Sequence, residues 1–454
     1  MSPPRVAVVG SGPAGVFCAQ ILAEDPAFDG GVDVFERLPA PFGLVRYGVA
    51  PDHQKIKSII ASLSEVFEQE RVRFLGNVTV GADITVEEIR RHYDAVIIAH
   101  GAPLDRRLGL PGEELGGVIA ARNFVSWYSG HPDASFDPSV LSTERAVVIG
   151  VGNVALDVAR MLVRTPDELR RTDVPEHVVD ALAGHSVREV CVVGRRGPEA
   201  ARFTLKELLE LSNVEGADLV VDPADLRLTP EREAVLSGRP AARRVFAALE
   251  KIAERPAAHR ARSVRLLFDR TPLEFTGQGT LSGISLARTS DPTRVEQLAT
   301  GLALPAVGYR SAPLAGVPFD DATGTVPHRD SRVLDGDVTV PGLYVVGWAK
   351  RGPSGVIGTN RLCASETSAA VLADLASVPA RSTDSEDVDS LLRSRGVAVV
   401  DWKRWQAIET AEGALGLETG RNRVKLHSRT ALLAAAGITQ ERTAADTGTA
   451  LPAS

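Results

Sequence analysis

Cysteine is scarce in this 454-residue sequence: Cys18, Cys191 and Cys363 are the whole set, and no two are close in the chain. There is no CxxC pair, so neither an active-site dithiol nor a four-thiolate metal cluster is supported, and no metal site is expected. Long apolar runs are missing as well. No stretch approaches the roughly 20 apolar residues that a membrane span needs. The N-terminus (MSPPRVAVVG) enters an apolar run at Arg5, leaving no room for a cleavable signal or transit segment. A cytoplasmic protein without a membrane span is therefore expected. Positive charge is also short: the formal net charge of −7 argues against general nucleic-acid binding.

What remains is ordinary globular material. The apolar fraction of 44% and charged fraction of 24% match soluble domains. The chain is too long for one core and suits two or three domains. One stretch departs from the acidic balance. Between Arg239 and Arg265 lie Arg239, Arg243, Arg244, Lys251, Arg255, Arg260, Arg262 and Arg265 against Glu250 and Glu254. It reads either as a solvated helical face or as a docking patch for an acidic partner.

The apolar run RVAVV (5–9) leads straight into Gly10-Ser11-Gly12-Pro13-Ala14-Gly15 and then the helical pattern VFCAQILAEDP. A glycine-rich turn between a strand and a helix is a phosphate cradle. Gly10 permits the tight turn, Gly12 lets the backbone approach a pyrophosphate, Gly15 lets helix and strand pack, and the helix N-terminus faces the charge. The next strand, VDVFE, ends at Glu36, where a carboxylate accepts hydrogen bonds from ribose hydroxyls.

The same pattern returns. AVVI (146–149) is followed by Gly150-Val151-Gly152-Asn153-Val154-Ala155 and the helix LDVARMLV, and later by the strand REVCVVG. The position matching Glu36 is now Gly194, followed by Arg195 and Arg196. An acid there would repel a ribose 2′-phosphate, whereas two guanidiniums grip one through fork-shaped, charge-assisted hydrogen bonds. The first site thus suits an adenosine ribose with free hydroxyls and the second suits NADP. Two such sites in one chain point to a resident flavin and a transient nicotinamide. PGLYVVGW (341–348) followed by AKRGPSGVIGTNR has the layout of a strand and helix N-terminus returning under a flavin. The expected fold is α/β, with two dinucleotide-binding (Rossmann-like) domains. A discontinuous FAD-binding domain covers 1–105 and 330–437, an NADP-binding domain is inserted at 106–329, and the aperiodic tail 438–454 reads as mobile.

PFGLVRYGVAPDHQ (41–54), GNVALDVAR (152–160), VVGRRGP (192–198), FTLKELLEL (203–211) and GWAKRGPSGVIGTN (347–360) occur in this order. With them the chain resembles the adrenodoxin-reductase-type ferredoxin–NADP reductases over most of its length. The resemblance implies tightly bound FAD, NADPH as electron donor and a ferredoxin-type iron–sulfur protein as partner. Carried over position by position, it implies FAD contacts at Ala14, Glu36, Leu44, Val80, Trp348, Gly355, Val356 and Ile357, beside Gly10, Gly12 and Gly15 of the turn. It implies NADP contacts at Val151, Gly152, Asn153, Val154, Arg195, Arg196 and Glu207, with Arg107 added and Gly355 serving both cofactors. His53 and Glu210 match a pair that tunes transfer near the flavin, and Asp157 matches a neighbouring acid. The crossover segment departs from related flavoproteins, reading Ala99-His100-Gly101 where Thr often stands in the middle.

The implied activity is that of a ferredoxin–NADP reductase: hydride from NADPH to FAD, then single electrons to the iron–sulfur carrier, or the reverse. Iron–sulfur carriers are typically acidic, which would give Arg239, Arg243 and Arg244 a steering role. Three alternatives stay open at this level. One is an NADPH-dependent flavin monooxygenase. Another is an electron-input subunit similar to the small subunit of glutamate synthase, although the cysteine-rich segment of those chains is missing here. The third is a non-enzymatic nucleotide sensor.

Overall fold

Strand Arg5–Val9 is buried from Val6 onward, as a central strand covered on both faces must be. It pairs in parallel with Gly31–Glu36 on one side and with Ala95–Ile98 on the other. In the computed structural model, which describes residues 3–256, 258–377 and 387–439, it sits near the middle of a seven-stranded sheet. The order is His328–Arg329, Arg332–Asp335, Val338–Val345, Ala95–Ile98, Arg5–Val9, Gly31–Glu36, Val72–Gly76. The last five run parallel, while the two strands before them are antiparallel additions at one edge. Apolar side chains cover both faces. Val6 and Val8 pack with helix Pro13–Glu24 and with Trp405 and Ile408, while Ala7 and Val9 pack with Ile89, Leu343 and Val345.

This sheet belongs to the first of two compact units, residues 1–49, 53–104 and 308–454; the second comprises 50–52 and 105–307. The first unit is discontinuous, and the chain returns to it at Gly308, well before the expected position 330. The reason is apolar burial, because Val317 and Val326 lie in the same core cluster as Ile84 and Val86. Of the tail expected to be mobile, residues 440–454 lie outside the described residues.

The second unit repeats the parallel design with five strands, in the order Leu302–Pro305, Arg145–Ile149, Glu189–Gly194, Arg262–Phe268, Ala217–Val221. All four pairings are parallel. To it is added a three-stranded antiparallel meander, Arg270–Gln278, Thr280–Arg288 and Asp291–Ala299, which the sequence reading did not foresee. The first of its hairpins turns on Gly279 at φ +74°, a conformation that glycine adopts at little cost. Among the described residues no helix is long and apolar enough to cross a membrane.

Candidate functional site

In the first unit the strand ends at Gly10, whose φ is +114°. A Cβ there would lie 2.5 Å from the Ala99 carbonyl oxygen, and one on Gly15 would lie 2.1 Å from the Gly10 oxygen. Both positions are closed to any side chain. Gly12 is the opposite case: a Cβ on it would meet nothing within 4 Å, so its backbone faces open space. Helix Pro13–Glu24 begins immediately after it, with no side-chain cap on its N-terminus. Free N–H groups and the positive end of the helix dipole therefore face that space. Glu36 stands beside the turn and accepts hydrogen bonds from Ser11 Oγ at 2.7 Å, Ser11 N at 3.2 Å and Leu38 N at 3.1 Å. Ser11 thus holds the carboxylate in place at the rim.

Segment 41–50 is laid directly on this turn. Phe42 N donates to Ser11 O at 3.1 Å, and Phe42 itself is at φ +78° to make the bend. The next helix, Gly43–Tyr47, leaves Leu44 exposed while Arg46 is buried against Glu412. Burial alone would drive the Arg46 charge off. The adjacent Glu412 carboxylate reverses this and pushes its pKa well above the ordinary arginine value. Val80, at the end of a short loop, is half-buried and bridges to Ile84. Gly347 (φ +70°) ends the returning strand, and a Cβ on it would lie 2.7 Å from Ala14 Cβ. Trp348 follows, half-buried, stacked on Tyr309 at 5.8 Å between ring centroids and donating Nε1–H to Ser354 O at 3.2 Å. Gly355 (φ +85°) and Val356 are exposed just before helix Ile357–Leu375.

His100, the departure in the crossover segment, has a structural explanation. Its Nε2 is 2.9 Å from Ala312 O and 3.2 Å from Ser311 Oγ, and Ser311 Oγ donates to Gly101 O at 2.7 Å. The imidazole clasps the outgoing chain to the returning one. Burial pushes its pKa below the ordinary histidine value, so it is neutral at physiological pH.

The second turn copies the first. Gly150 has φ +138°, a Cβ on it would lie 2.5 Å from Ala306 O, and Gly152 again faces open space. Helix Asn153–Val163 starts there. The segment FTLKELLEL hangs on this turn, with Arg202 N and Phe203 N donating to Val151 O and Thr204 N to Asn153 Oδ1. Arg195 and Arg196 are exposed beyond strand Glu189–Gly194. Their backbones are pinned, since Thr289 Oγ1 donates to Arg195 O and Asp269 N to Arg196 O. Arg107 is exposed in the same unit.

Asp157 and Glu207 both face a residue that the sequence reading passed over. Arg160 is fully buried and binds Asp157 at 2.6 Å, Asp52 at 2.7 Å and Glu207 at 3.5 Å. Arg164 adds a second cation to Asp52 at 2.6 Å. Asp52 belongs with the second unit, whereas the next residue, His53, belongs with the first, where it is buried at the start of helix Gln54–Lys57. Glu210 lies in the second unit, 3.6 Å from Lys206 Nζ. A signal for the Arg160 cluster was available, because Arg160 stands three residues after Asp157 on one helix face. Arg239, Arg243 and Arg244 are exposed at the start of helix Pro240–Ala253, and Arg243 pairs with Glu233 at 2.5 Å.

Residues 4–190 match the family model described as pyridine nucleotide-disulphide oxidoreductase. A mitochondrial NADPH:adrenodoxin oxidoreductase of Arabidopsis thaliana is 40% identical, the alignment covering 96% of this chain and 95% of that protein. The NADPH-ferredoxin reductase FprA of Mycobacterium tuberculosis is 41% identical over 95% of this chain and 99% of its own. The solved structure of FprA in complex with NADPH superposes with a TM-score of 0.90 and 41% identity, covering 96% of this chain and 100% of that one. With two glycine turns of one design and a flavoprotein-like return strand already in view, these relatives place the chain in the adrenodoxin-reductase-type family of NADPH–ferredoxin reductases.

Proposed function

We propose that this chain is an FAD-dependent NADPH:ferredoxin oxidoreductase, with FAD resident in the first unit and NADPH binding transiently in the second. The observation that carries the reading is the contrast in charge at the two rims: a fixed carboxylate, Glu36, beside the first turn and two exposed guanidiniums, Arg195 and Arg196, beside the second. The open backbone at Gly12 and the uncapped helix behind it fit a pyrophosphate. FAD supplies the redox chemistry when bound, accepting a hydride and giving up electrons singly.

The chain's own residues bind and position. Gly10, Gly12, Ala14 and Gly15 receive the FAD pyrophosphate, and Glu36 receives the ribose hydroxyls. Leu44, Val80, Trp348, Gly355, Val356 and Ile357 line the rest of the FAD site. Val151, Gly152, Asn153 and Val154 cradle NADPH, Arg195 and Arg196 read its 2′-phosphate, and Arg107 and Glu207 add contacts. His53 serves as a proton relay or redox-tuning group near the flavin, since hydride transfer itself requires no acid or base. Glu210 and Asp157 are further residues that tune transfer. Asp157 and Glu207 are held for these roles by Arg160. The iron–sulfur partner is a ferredoxin, which makes the activity that of a ferredoxin–NADP(+) reductase, and its acidic face is steered by Arg239, Arg243 and Arg244. Three buried free thiols fit work in a reducing compartment such as the cytoplasm.

The test is an anaerobic titration of the purified protein, followed by visible flavin absorption. Bleaching by NADPH at far lower concentration than by NADH, with colour restored by an oxidised ferredoxin, is the expected result. A protein without flavin, or one bleached equally by both nucleotides, would refute the reading.

A further inference from the structure

Strand Arg262–Phe268 runs parallel to Glu189–Gly194, and the last residues in register are Phe268 and Gly194. The two chains therefore leave the sheet together, one as Asp269 and the other as Arg195 and Arg196. Gly194 lies against the second glycine turn, where a Cβ on it would be 2.6 Å from Val151 Cγ1. The arginines thus start from the edge of that turn. Among the described residues no carboxylate pairs with either guanidinium. Exposed arginine side chains without a partner sample many rotamers, so the region they can reach is set by their backbone.

That backbone is tied into the three-stranded meander. Thr289, in the turn between Thr280–Arg288 and Asp291–Ala299, donates Oγ1–H to Arg195 O, and Asp269 N donates to Arg196 O. Thr289 N donates in turn to Asp269 O at 3.0 Å, which joins the two anchors. Thr271 Oγ1 is 2.7 Å from Thr289 Oγ1. Because the Thr289 hydrogen is committed to Arg195 O, Thr271 is the donor of that pair and fixes the direction of the Thr289 hydroxyl. Asp269 takes a left-handed backbone at φ +60°. Its carboxylate accepts from Ser290 N at 3.0 Å and from Ser290 Oγ, and Arg288 stands 3.6 Å away. The acid beside the arginine loop is thereby occupied within the meander.

We propose that Thr289 is a positioning residue for 2′-phosphate recognition. It ties Arg195, through its carbonyl, to the meander and so holds the two guanidiniums within reach of the phosphate. This rests on the reading of Arg195 and Arg196 as the residues that bind that group. Glu36 in the first unit needs no such strut, since Ser11 of its own turn holds it. A hydroxyl that acts only through the arginines serves the phosphate that NADPH carries and NADH lacks, and leaves hydride transfer alone.

The experiment compares wild type, Thr289→Val, Thr289→Ser, the double variant Arg195→Ala with Arg196→Ala, and the triple variant that adds Thr289→Val. All are full-length holoenzymes, and initial rates with NADPH and with NADH, ferricyanide as acceptor, give kcat and KM. Thr289→Val keeps the side-chain shape and loses the hydroxyl. It should raise the KM for NADPH about 3–10-fold, the worth of one hydrogen bond, with kcat and the KM for NADH unchanged. Thr289→Ser keeps the hydroxyl and should show the wild-type KM. Without the two arginines, Thr289→Val should have no further effect, because it acts only through them. If Thr289→Val is not recovered folded, Thr289→Ala carries the same expectations. An unchanged KM for NADPH in Thr289→Val, or an equal rise for both nucleotides, overturns the proposal. So does a further rise in the triple variant, which would make Thr289 a direct contact of the phosphate. A double arginine variant that keeps the wild-type preference for NADPH overturns the reading of the arginines and this inference together. A raised KM in that variant beside an unchanged one in Thr289→Val overturns the inference alone.

Discussion

The two glycine turns of this protein differ most where they look most alike. Gly10 and Gly150 both take a positive φ against a carbonyl oxygen 2.5 Å from where a Cβ would be, and Gly12 and Gly152 both face open space. The third position is Gly15 in one and Ala155 in the other. A Cβ on Gly15 would strike the Gly10 oxygen at 2.1 Å and Val8 Cγ1 at 3.0 Å, whereas Ala155 is fully buried with its methyl accommodated. The first turn is therefore packed harder onto its sheet than the second. The rims differ in kind: Glu36 is fixed by Ser11 and Leu38, while Arg195 and Arg196 are held by their backbones and leave their side chains exposed. This teaches how one local grammar serves two cofactors. On the proposed function, the turn supplies the phosphate site in both, and the residues at the end of the second strand choose the ribose.

The largest expected effect tests the packing half of the comparison. Gly15→Ala should cost roughly 2 kcal/mol or more of stability, at the upper part of the overpacking range, while Ala155→Gly should cost about 1 kcal/mol or less. Thermal unfolding of the two variants measures this, and equal losses would break the contrast. Next comes the rim. Arg195→Ala with Arg196→Ala should raise the KM for NADPH about 10–100-fold and leave that for NADH nearly unchanged, as expected for lost charged hydrogen bonds. Steady-state kinetics with both nucleotides decides, and an unchanged preference would remove the arginines from 2′-phosphate recognition. The smallest effect lies outside both turns. Arg243→Ala with Arg244→Ala should flatten the salt dependence of ferredoxin reduction by a few-fold at low ionic strength and leave flavin reduction by NADPH untouched. The effect is kept small because Arg243 is already partly neutralised by Glu233. Stopped-flow traces of the two half-reactions separate these, and a parallel fall in both would make the patch structural.

Much of this was legible because it is local. A short apolar run, glycines at fixed offsets and a helical pattern specify the strand–turn–helix unit through backbone sterics that any copy must obey. The buried strands 5–9, 31–36, 145–149 and 189–194 follow directly. The three-stranded meander at 270–299 escaped notice because its outer strands are largely exposed and carry polar residues such as Arg294 and Glu296, while the mostly buried middle strand interrupts its apolar residues with Ser282, Gly283 and Ser285, so no strong apolar period marks them. The return of the chain at Gly308 escaped for another reason: part of what draws Val317 and Val326 into the first unit's core is Ile84 and Val86, more than 200 residues earlier in the chain.

By itself, the sequence determined the two strand–glycine-turn–helix units, the opposite charges at the ends of their second strands and the kinship to the reductases. Each is written in contiguous residues. Only the tertiary structure decided which charges are used and which are left over. Arg160 gathers Asp52, Asp157 and Glu207 from three separate segments, and His100 clasps Ser311 and Ala312 across the insertion. The Nε and Nη1 atoms of Arg351 are buried with no acceptor among the described residues. Burial and partnership are properties of folded neighbours distant in sequence, so no periodicity or spacing along the chain can carry them.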